Sequence, residues 1–498
     1  KYVDEVVYKK EKDPKKAAGL FLEFVKEFPK SDNADRALTY AMLIAREANE
    51  LDKAAEYGER LLREYPTTVF DLKVKYALAK LYEQMANFEK SASMYDEFVQ
   101  TYDLAAGEKA IGYANIKDLL KKEKEQREKD AKANKGKPAG VVVTTVDLKT
   151  LKDEAKKKER EALIAECTDK KDNWVQNAVF NQGFWFEGVG KFDRAIAAYN
   201  RYIVRFKDEK DAPDIAYNIG LVLEKSGQST DALKHFDSYL ATYAKDARVT
   251  DGRRYDIKYR QFLLNQKLKN VAEVDRLAKD LAAGYAKLKD DEKKNDRAML
   301  AAAHAKFHLM EPQWKAYVDM KFKKIGTFKT DLPAKQKRQA ELEKSYIEVL
   351  AIGNPEYGIA ALTRIGLAYA DFAANIVEIP DPPGLDEDQL SMFRGELESR
   401  YVFPVEEKSM EALEKAVAKS SELTMYNEWT LVAQDRLNKY KPGLYGKARD
   451  VAYRGSEFFV TAGFEKSTDL PSEATVEKPK PPAEKKEVAA PAPGAGSR

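Results

Sequence analysis

The sequence predicts an all-α chain built as a solenoid of stacked helix pairs, on three observations. First, one helical face is written twice: "RAIAAYNRYIVRF" at 194–206 returns as "DALKHFDSYLATY" at 231–243. Ala195 answers Ala232, Tyr199 answers Phe236, Tyr202 answers Tyr239 and Phe206 answers Tyr243, each pair 37 residues apart (195 to 232). Second, the same columns run upstream, with Phe28, Tyr65 and Tyr102 in the aromatic place and Ala17, Ala54 and Ser91 in the small one. Third, glycines recur at fixed places, mid-helix at Gly183 and Gly220 and after the helix at Gly190 and Gly227. A fixed interval with aromatic and small-residue columns is the signature of a repeat that buries its apolar face only by stacking on its neighbours.

Each unit divides into two helices. In the second, Ala195, Tyr199, Tyr202 and Phe206 are spaced four, three and four, which lines them up on one stripe at 3.6 residues per turn. In the first, "FNQGFWFEGVG" at 180–190 returns as "YNIGLVLEKSG" at 217–227. A glycine inside a helix costs about 1 kcal/mol relative to alanine, so Gly183 and Gly220 point to close approach of a neighbouring helix. Gly190 and Gly227 sit where the first helix stops, a position suited to left-handed backbone. Pro29 and Pro66 lie beyond second helices, where a missing N–H does least harm.

The chain reads in five parts. Residues 1–103 hold N-terminal repeats. Residues 104–172 form a charged helical insertion or linker, since the repeat slips phase between Tyr102 and Phe206. Within it "KDLLKKEKEQREKDAKANKGKPAG" is charged on every face, a solvated helix running into a connector, and "VVVTTVDL" at 141–148 is the best strand candidate. Repeats resume at 173–245. From 246 to 465 they diverge: Val274, Ala278, Leu281 and Tyr285 make another second-helix stripe, 361–379 is alanine-rich like a first helix, and "IPDPPG" at 379–384 is a stiff connector. Further helices are expected at 386–400, 405–421, 424–440 and 445–463. Residues 466–498 are rich in Pro, Ala, Glu and Lys without an aromatic residue, a composition that leaves a tail disordered.

The stretch "AYNIGLVLEKSGQSTDALKHFDSYLATY" resembles a tetratricopeptide repeat: aromatic–Asn–x–Gly in the first helix, Gly at the turn, then Ala-x3-aromatic in the second. Five units over 10–103 and 173–245 carry the resemblance. It implies a right-handed superhelical solenoid whose first helices line a concave groove for a partner's peptide or helix. The period of 37 resembles the longer variety found in bacterial envelope proteins. The passage 356–465 resembles the C-terminal half of deltaproteobacterial gliding-motility repeat proteins. These resemblances imply a periplasmic or envelope-associated scaffold; a cytoplasmic adaptor is the alternative. The carboxylate-clamp lysines of cytosolic co-chaperones are absent from the matching columns.

Carried over position by position, the groove asparagine of the family falls on Asn181 and Asn218. Phe180, Phe184, Tyr217, Glu187 and Glu224 belong near the same surface. An amide carries donors and an acceptor, so it can grip an extended backbone or tie neighbouring repeats together. Both readings stand at this point.

Chemistry is sparse. The near-balance of 86 basic and 83 acidic residues gives no reason to expect nucleic acid. No apolar run reaches the roughly 18 residues of a transmembrane helix. The lone Cys167 excludes an internal disulfide and reads as a small apolar packer. His304 and His308 stand four apart in "HAKFH", but Ala305 occupies the place of the Glu in a zinc-protease helix, and two imidazoles fall short of a catalytic zinc set. No phosphate loop or nucleophile elbow occurs, so no catalytic residue, metal site or cofactor is assigned and a small-molecule ligand is not expected. The expectation is a non-enzymatic scaffold that binds other proteins. An enzyme with its site in 249–350 is the rival, resting on the two histidines alone.

Overall fold

The computed structural model describes residues 3–106 and 154–445. They belong to one compact unit that runs to residue 448. The expected strand at 141–148, the charged run before it, the helix at 445–463 beyond Tyr445 and the tail at 466–498 lie outside the described residues.

The regular part of the chain is made of helices of one length. Helices α1 (Pro14–Glu27), α2 (Ala34–Glu47), α3 (Leu51–Glu64) and α4 (Asp71–Gln84) are each 14 residues long. After α5 (Phe88–Ala105), α6 (Glu154–Glu166) and α7 (Trp174–Gly188), the same length returns in α8 (Phe192–Arg205), α9 (Ala212–Lys225) and α10 (Ser229–Thr242). With residues 48–50 turning inside a pair and 65–70 linking it to the next, this fixed length accounts for the period. The described residues form an all-α array of helix pairs, as the periodicity predicts.

The turn inside each pair repeats as faithfully as the helices. Asn49, Ala86, Gly190, Gly227 and Lys269 all take positive φ, between 55° and 79°. After each, a backbone N–H reaches back across the turn: Glu50 to Ala45 O at 2.9 Å, Asn87 to Tyr82 O at 2.8 Å, Lys191 to Phe186 O at 2.8 Å and Gln228 to Leu223 O at 2.9 Å. These bonds satisfy carbonyls that the helix end leaves open. Glycine holds the left-handed residue in only two of the five turns.

The mid-helix glycines have the role their spacing suggests. A Cβ on Gly183 would stand 2.5 Å from Tyr199 Cε1, and one on Gly220 would stand 2.2 Å from Phe236 Cε1. The ring of the second helix lies flat on the bare backbone of its own first helix. Phe236 is therefore buried first within its pair, against Gly220 and Tyr217, and only then within the wider core.

The insertion does not interrupt the stacking. α5 packs directly on α7, where Gln182 Nε2 donates to Asp96 Oδ1 at 2.7 Å and Trp185 stacks on Phe88 with centroids 4.2 Å apart. The described end of the insertion, α6, is a docked helix rather than a linker. Its Arg160 is fully buried, donating to Val69 O at 2.9 Å and pairing with Asp71 at the start of α4. Cys167 just beyond it is buried among apolar neighbours, as read, and burial pushes its thiol up to about 12.

Beyond Thr242 the pattern loosens but persists. α11 (Asp251–Lys267) and α12 (Val271–Tyr285) form a pair, with Val274, Ala278 and Leu281 buried as the stripe predicts. The short α13 (Asp290–Lys293) leads to three 23-residue helices, α14 (Asp296–Val318), α15 (Phe328–Leu350) and α16 (Pro355–Val377). α17 (Glu387–Leu397), α18 (Phe403–Glu422) and α19 (Glu428–Tyr440) close the described array. A Cβ on Gly366 of α16 would stand 2.5 Å from Leu413 Cγ of α18, so the glycine crossing recurs with an aliphatic side chain across an intervening helix.

Two substitutions separate these devices. Gly220→Ala is expected to cost about 1–3 kcal/mol, because the Phe236 ring must leave its seat. Ala86→Gly, at an exposed left-handed position, is expected to add about 0.5–1 kcal/mol. Urea unfolding followed by circular dichroism measures both; a Gly220→Ala midpoint equal to wild type would refute the seat.

Candidate functional site

The seven residues singled out in the sequence lie on α7 and α9, the first helices of consecutive pairs, and the structure divides them. Four are engaged by neighbouring pairs. Asn181 Nδ2 donates to the hydroxyl of Tyr95 on α5 at 3.4 Å, the arrangement of an inter-pair tie. Glu187 accepts from Tyr199 at 3.2 Å and faces Lys225 at 3.6 Å. Tyr217 is buried, its hydroxyl donating to Asp256 and accepting from Arg260 Nε at 2.7 Å, with the Arg253 guanidinium 4.0 Å above its ring. Glu224 pairs with Arg260 at 2.8 Å, while burial holds its carboxyl above the usual range against the pull of that arginine.

Three remain open. Phe184 is 48% exposed. Phe180 is half-buried, with ring centroids 6.3 Å from both Phe184 and Tyr202. Asn218 is half-buried, and its amide has no side-chain hydrogen bond to any described residue. Asn181 and Asn218 thus share a column but not a role. The preceding second helix carries a tyrosine in both cases: Tyr95 of α5 accepts from Asn181, whereas Tyr199 of α8 donates to Glu187 and makes no bond to Asn218.

Sequence reasoning missed the groups that hold this surface in place. Trp185 Nε1 donates to Glu83 at 2.6 Å, and Tyr95 donates to the same carboxylate at 2.9 Å, so Glu83 ties three helices together. Glu83 and Glu187 sit at matching places in their pairs, each accepting from the tyrosine of its own second helix. In the following pair that tyrosine is Phe236, which carries no hydroxyl, and Glu224 turns instead to Arg260. The signal was legible as a recurring Glu twelve residues before an aromatic residue. What the aromatic lacked decided the partner.

The histidine pair is built into packing. His304 Nδ1 is 3.1 Å from the Tyr259 hydroxyl, its ring stacks on Tyr357 at 4.8 Å, and Phe262 stands edge-on at 4.9 Å. His308 Nε2 lies 2.9 Å from Asp275. Among the described residues, no three His, Cys, Asp or Glu side chains are grouped to hold a metal ion.

The family model described as tetratricopeptide repeat matches residues 186–247, so this stretch, from the end of α7 to just past α10, is similar to a tetratricopeptide repeat. No curated protein matches the sequence. Solved structures similar to the chain include yeast Tom70, at 12% identity over 87% of this chain and 95% of that one, with a TM-score of 0.17. Another is Naa15/Naa10 bound to HypK-THB, at 12% identity over 87% of this chain and 74% of that one, also with a TM-score of 0.17. Overlays this loose carry no inference about activity or partners.

The environment of His304 makes stability depend on pH. Burial, and then the neighbouring His308, lower its pKa from about 6.5 to about 4. The folded state therefore binds fewer protons than the unfolded state between these values, and stability falls as pH drops through that window. From pH 7 to pH 5 the loss assigned to His304 is about 2 kcal/mol. Comparing urea unfolding of wild type and His304→Gln at the two pH values isolates it; an equal loss in both would refute the assignment.

Proposed function

We propose that the chain is a non-enzymatic scaffold whose first-helix surface on α7 and α9 holds a peptide or helix of a partner protein. The observation that carries this is the juxtaposition, on consecutive first helices of the tetratricopeptide-like region, of an exposed Phe184, a half-buried Phe180 and an amide at Asn218 with no side-chain hydrogen bond to any described residue. An aromatic platform contributes contact area, and an unengaged amide can accept from and donate to an extended backbone without first breaking an internal bond. The ties through Asn181, Glu187, Tyr217 and Glu224 keep the surface rigid, which lowers the ordering cost of binding. Assembly of a multiprotein complex follows from presenting several such surfaces along one array.

The proposal extends to location. We assign the protein to a bacterial cell envelope, with motility machinery as one such complex, because the 37-residue period resembles the longer repeats of envelope proteins. Fractionation of cells producing the complete gene product tests this. Recovery with the cytoplasmic fraction would make the protein a cytoplasmic adaptor and leave the binding surface unchanged.

The surface has its own test. Asn218→Ala should weaken binding of the partner recovered by pull-down by about 0.5–1.5 kcal/mol while leaving the melting temperature nearly constant. Phe184→Ala should weaken it by about 1–3 kcal/mol. Asn181→Ala should instead act mainly on stability, since its amide is spent on Tyr95. Calorimetry on the three variants gives the comparison; affinity untouched by Asn218→Ala and Phe184→Ala would move the binding site elsewhere.

A further inference from the structure

The charge of the chain is nearly balanced overall, yet it is strongly segregated at the turn between α14 and α15. Residues 315–338 carry Lys315, Lys321, Lys323, Lys324, Lys329, Lys335, Lys337 and Arg338 against only Asp319 and Asp331. Lys315, Lys323, Lys324, Lys329 and Lys337 are exposed and form no ion pair with any described residue. Of the nearby carboxylates, Asp319 is exposed without an ion pair to any described residue and the other two are engaged. Asp331 accepts the Thr327 hydroxyl at 2.7 Å, and Asp371 of α16 is held by Lys321 at 3.2 Å and Lys335 at 2.8 Å. The acids of α15, Glu341, Glu343 and Glu348, begin only beyond this stretch.

The turn that displays these cations is anchored from below. Lys335 is fully buried and donates to Tyr317 O at 3.2 Å and Met320 O at 2.8 Å, closing the end of α14 onto α15. Phe322 and Phe328 are buried on either side of Lys323 and Lys324 and pack on each other edge to face at 5.2 Å. Lys323 and Lys324 therefore extend from a fixed turn, with Lys315 near the end of α14 and Lys329 and Lys337 in the first part of α15 on either side of it. Like charges gathered at one turn repel one another, and a counter-charge supplied from outside relieves that repulsion.

We propose that this turn is a docking surface for an anionic lipid bilayer, recognised through its phosphate headgroups. The cations are lysines, compact point charges suited to a diffuse anionic surface, rather than the arginine forks that read phosphates one by one. The one arginine, Arg338, is turned to Ala316 O at 3.4 Å. Both aromatic rings inside 319–329 are buried, so the turn offers no platform on which bases could stack. The helices packed around the same small core also expose large apolar side chains, Met392 at 76% and Phe403 at 57%, of a kind that enters a bilayer interface. This inference is independent of the partner held on α7 and α9.

The experiment is co-sedimentation of the full chain with phosphatidylcholine vesicles, alone or with about 30 mol % phosphatidylglycerol. Binding is expected only to the anionic vesicles, and it should collapse in roughly 0.5 M salt. Each lysine near such a surface contributes about fivefold to partition. The variant Lys323→Glu, Lys324→Glu, Lys329→Glu, Lys337→Glu should therefore lose about a hundredfold or more, with an unchanged circular dichroism spectrum and melting temperature. A control with the same net charge, Lys170→Glu, Lys207→Glu, Lys210→Glu, Lys245→Glu, should retain most of the binding. Equal loss in the control would reduce the effect to net charge and overturn the site. Wild type that ignores anionic vesicles overturns the proposal, and variant-sensitive binding of a short DNA duplex or of polyglutamate in its place would reassign the turn to nucleic acid or to acidic protein.

Discussion

The array depends on a bare stretch of first-helix backbone meeting a ring from the second helix. At Gly183 and Gly220 the absence of a Cβ lets Tyr199 and Phe236 lie against the helix itself. That approach sets the distance between the two helices of a pair, and so fixes which residues face the next pair. The cost of a glycine inside a helix is about 1 kcal/mol, whereas burying a whole aromatic side chain contributes about 1.5–3 kcal/mol, so the exchange favours the crossing. Where the pair is enlarged, at Gly366, Leu413 takes the seat and the crossing survives a helix inserted between the two partners.

A tyrosine in the second-helix column creates a second constraint, because a buried hydroxyl needs a partner. Tyr95 and Tyr199 find theirs in Glu83 and Glu187, carboxylates that would otherwise point outward from the first helices. Two of the seven candidate residues, Asn181 and Glu187, are engaged through these hydroxyls. Phe236 asks for nothing, which leaves Glu224 to Arg260 and couples the regular repeats to the divergent helices that follow. The hydroxyl on the second-helix ring thus decides the partner of the first-helix carboxylate: tyrosine where it is present, Arg260 where it is not.

Much of this was legible in the sequence because it is periodic. The interval, the two-helix unit, the turn glycines and the close-approach glycines all recur, and recurrence turns a weak local preference into a strong one. Asn49, Ala86 and Lys269 show the limit: they adopt the left-handed turn without glycine, held there by the same backbone bond as Gly190 and Gly227. For the candidate site, the column was legible but the occupancy was not. Asn181 is tied to a tyrosine eighty-six residues upstream, a relation that no local pattern contains. Arg160 escaped for the same reason. Within the charged insertion, nothing marked one arginine as the buried partner of Asp71.

That buried pair bears on where the array can receive a partner. Removing one member of a buried ion pair strands the other charge, at a cost of about 3–5 kcal/mol, so α6 is held as part of the fold. It carries two further contacts to the same region, Glu159 with Arg36 at 2.7 Å and Lys156 with Asp32 at 3.8 Å. The starts of α2 and α4 are thus occupied by the chain's own insertion. The first helices after residue 173 carry no such covering helix among the described residues, and it is there that Phe184 is exposed and the Asn218 amide is without a side-chain hydrogen bond. The insertion thus covers the starts of α2 and α4 while the stacking of α5 on α7 continues, and on the proposed reading a partner is left the first helices α7 and α9.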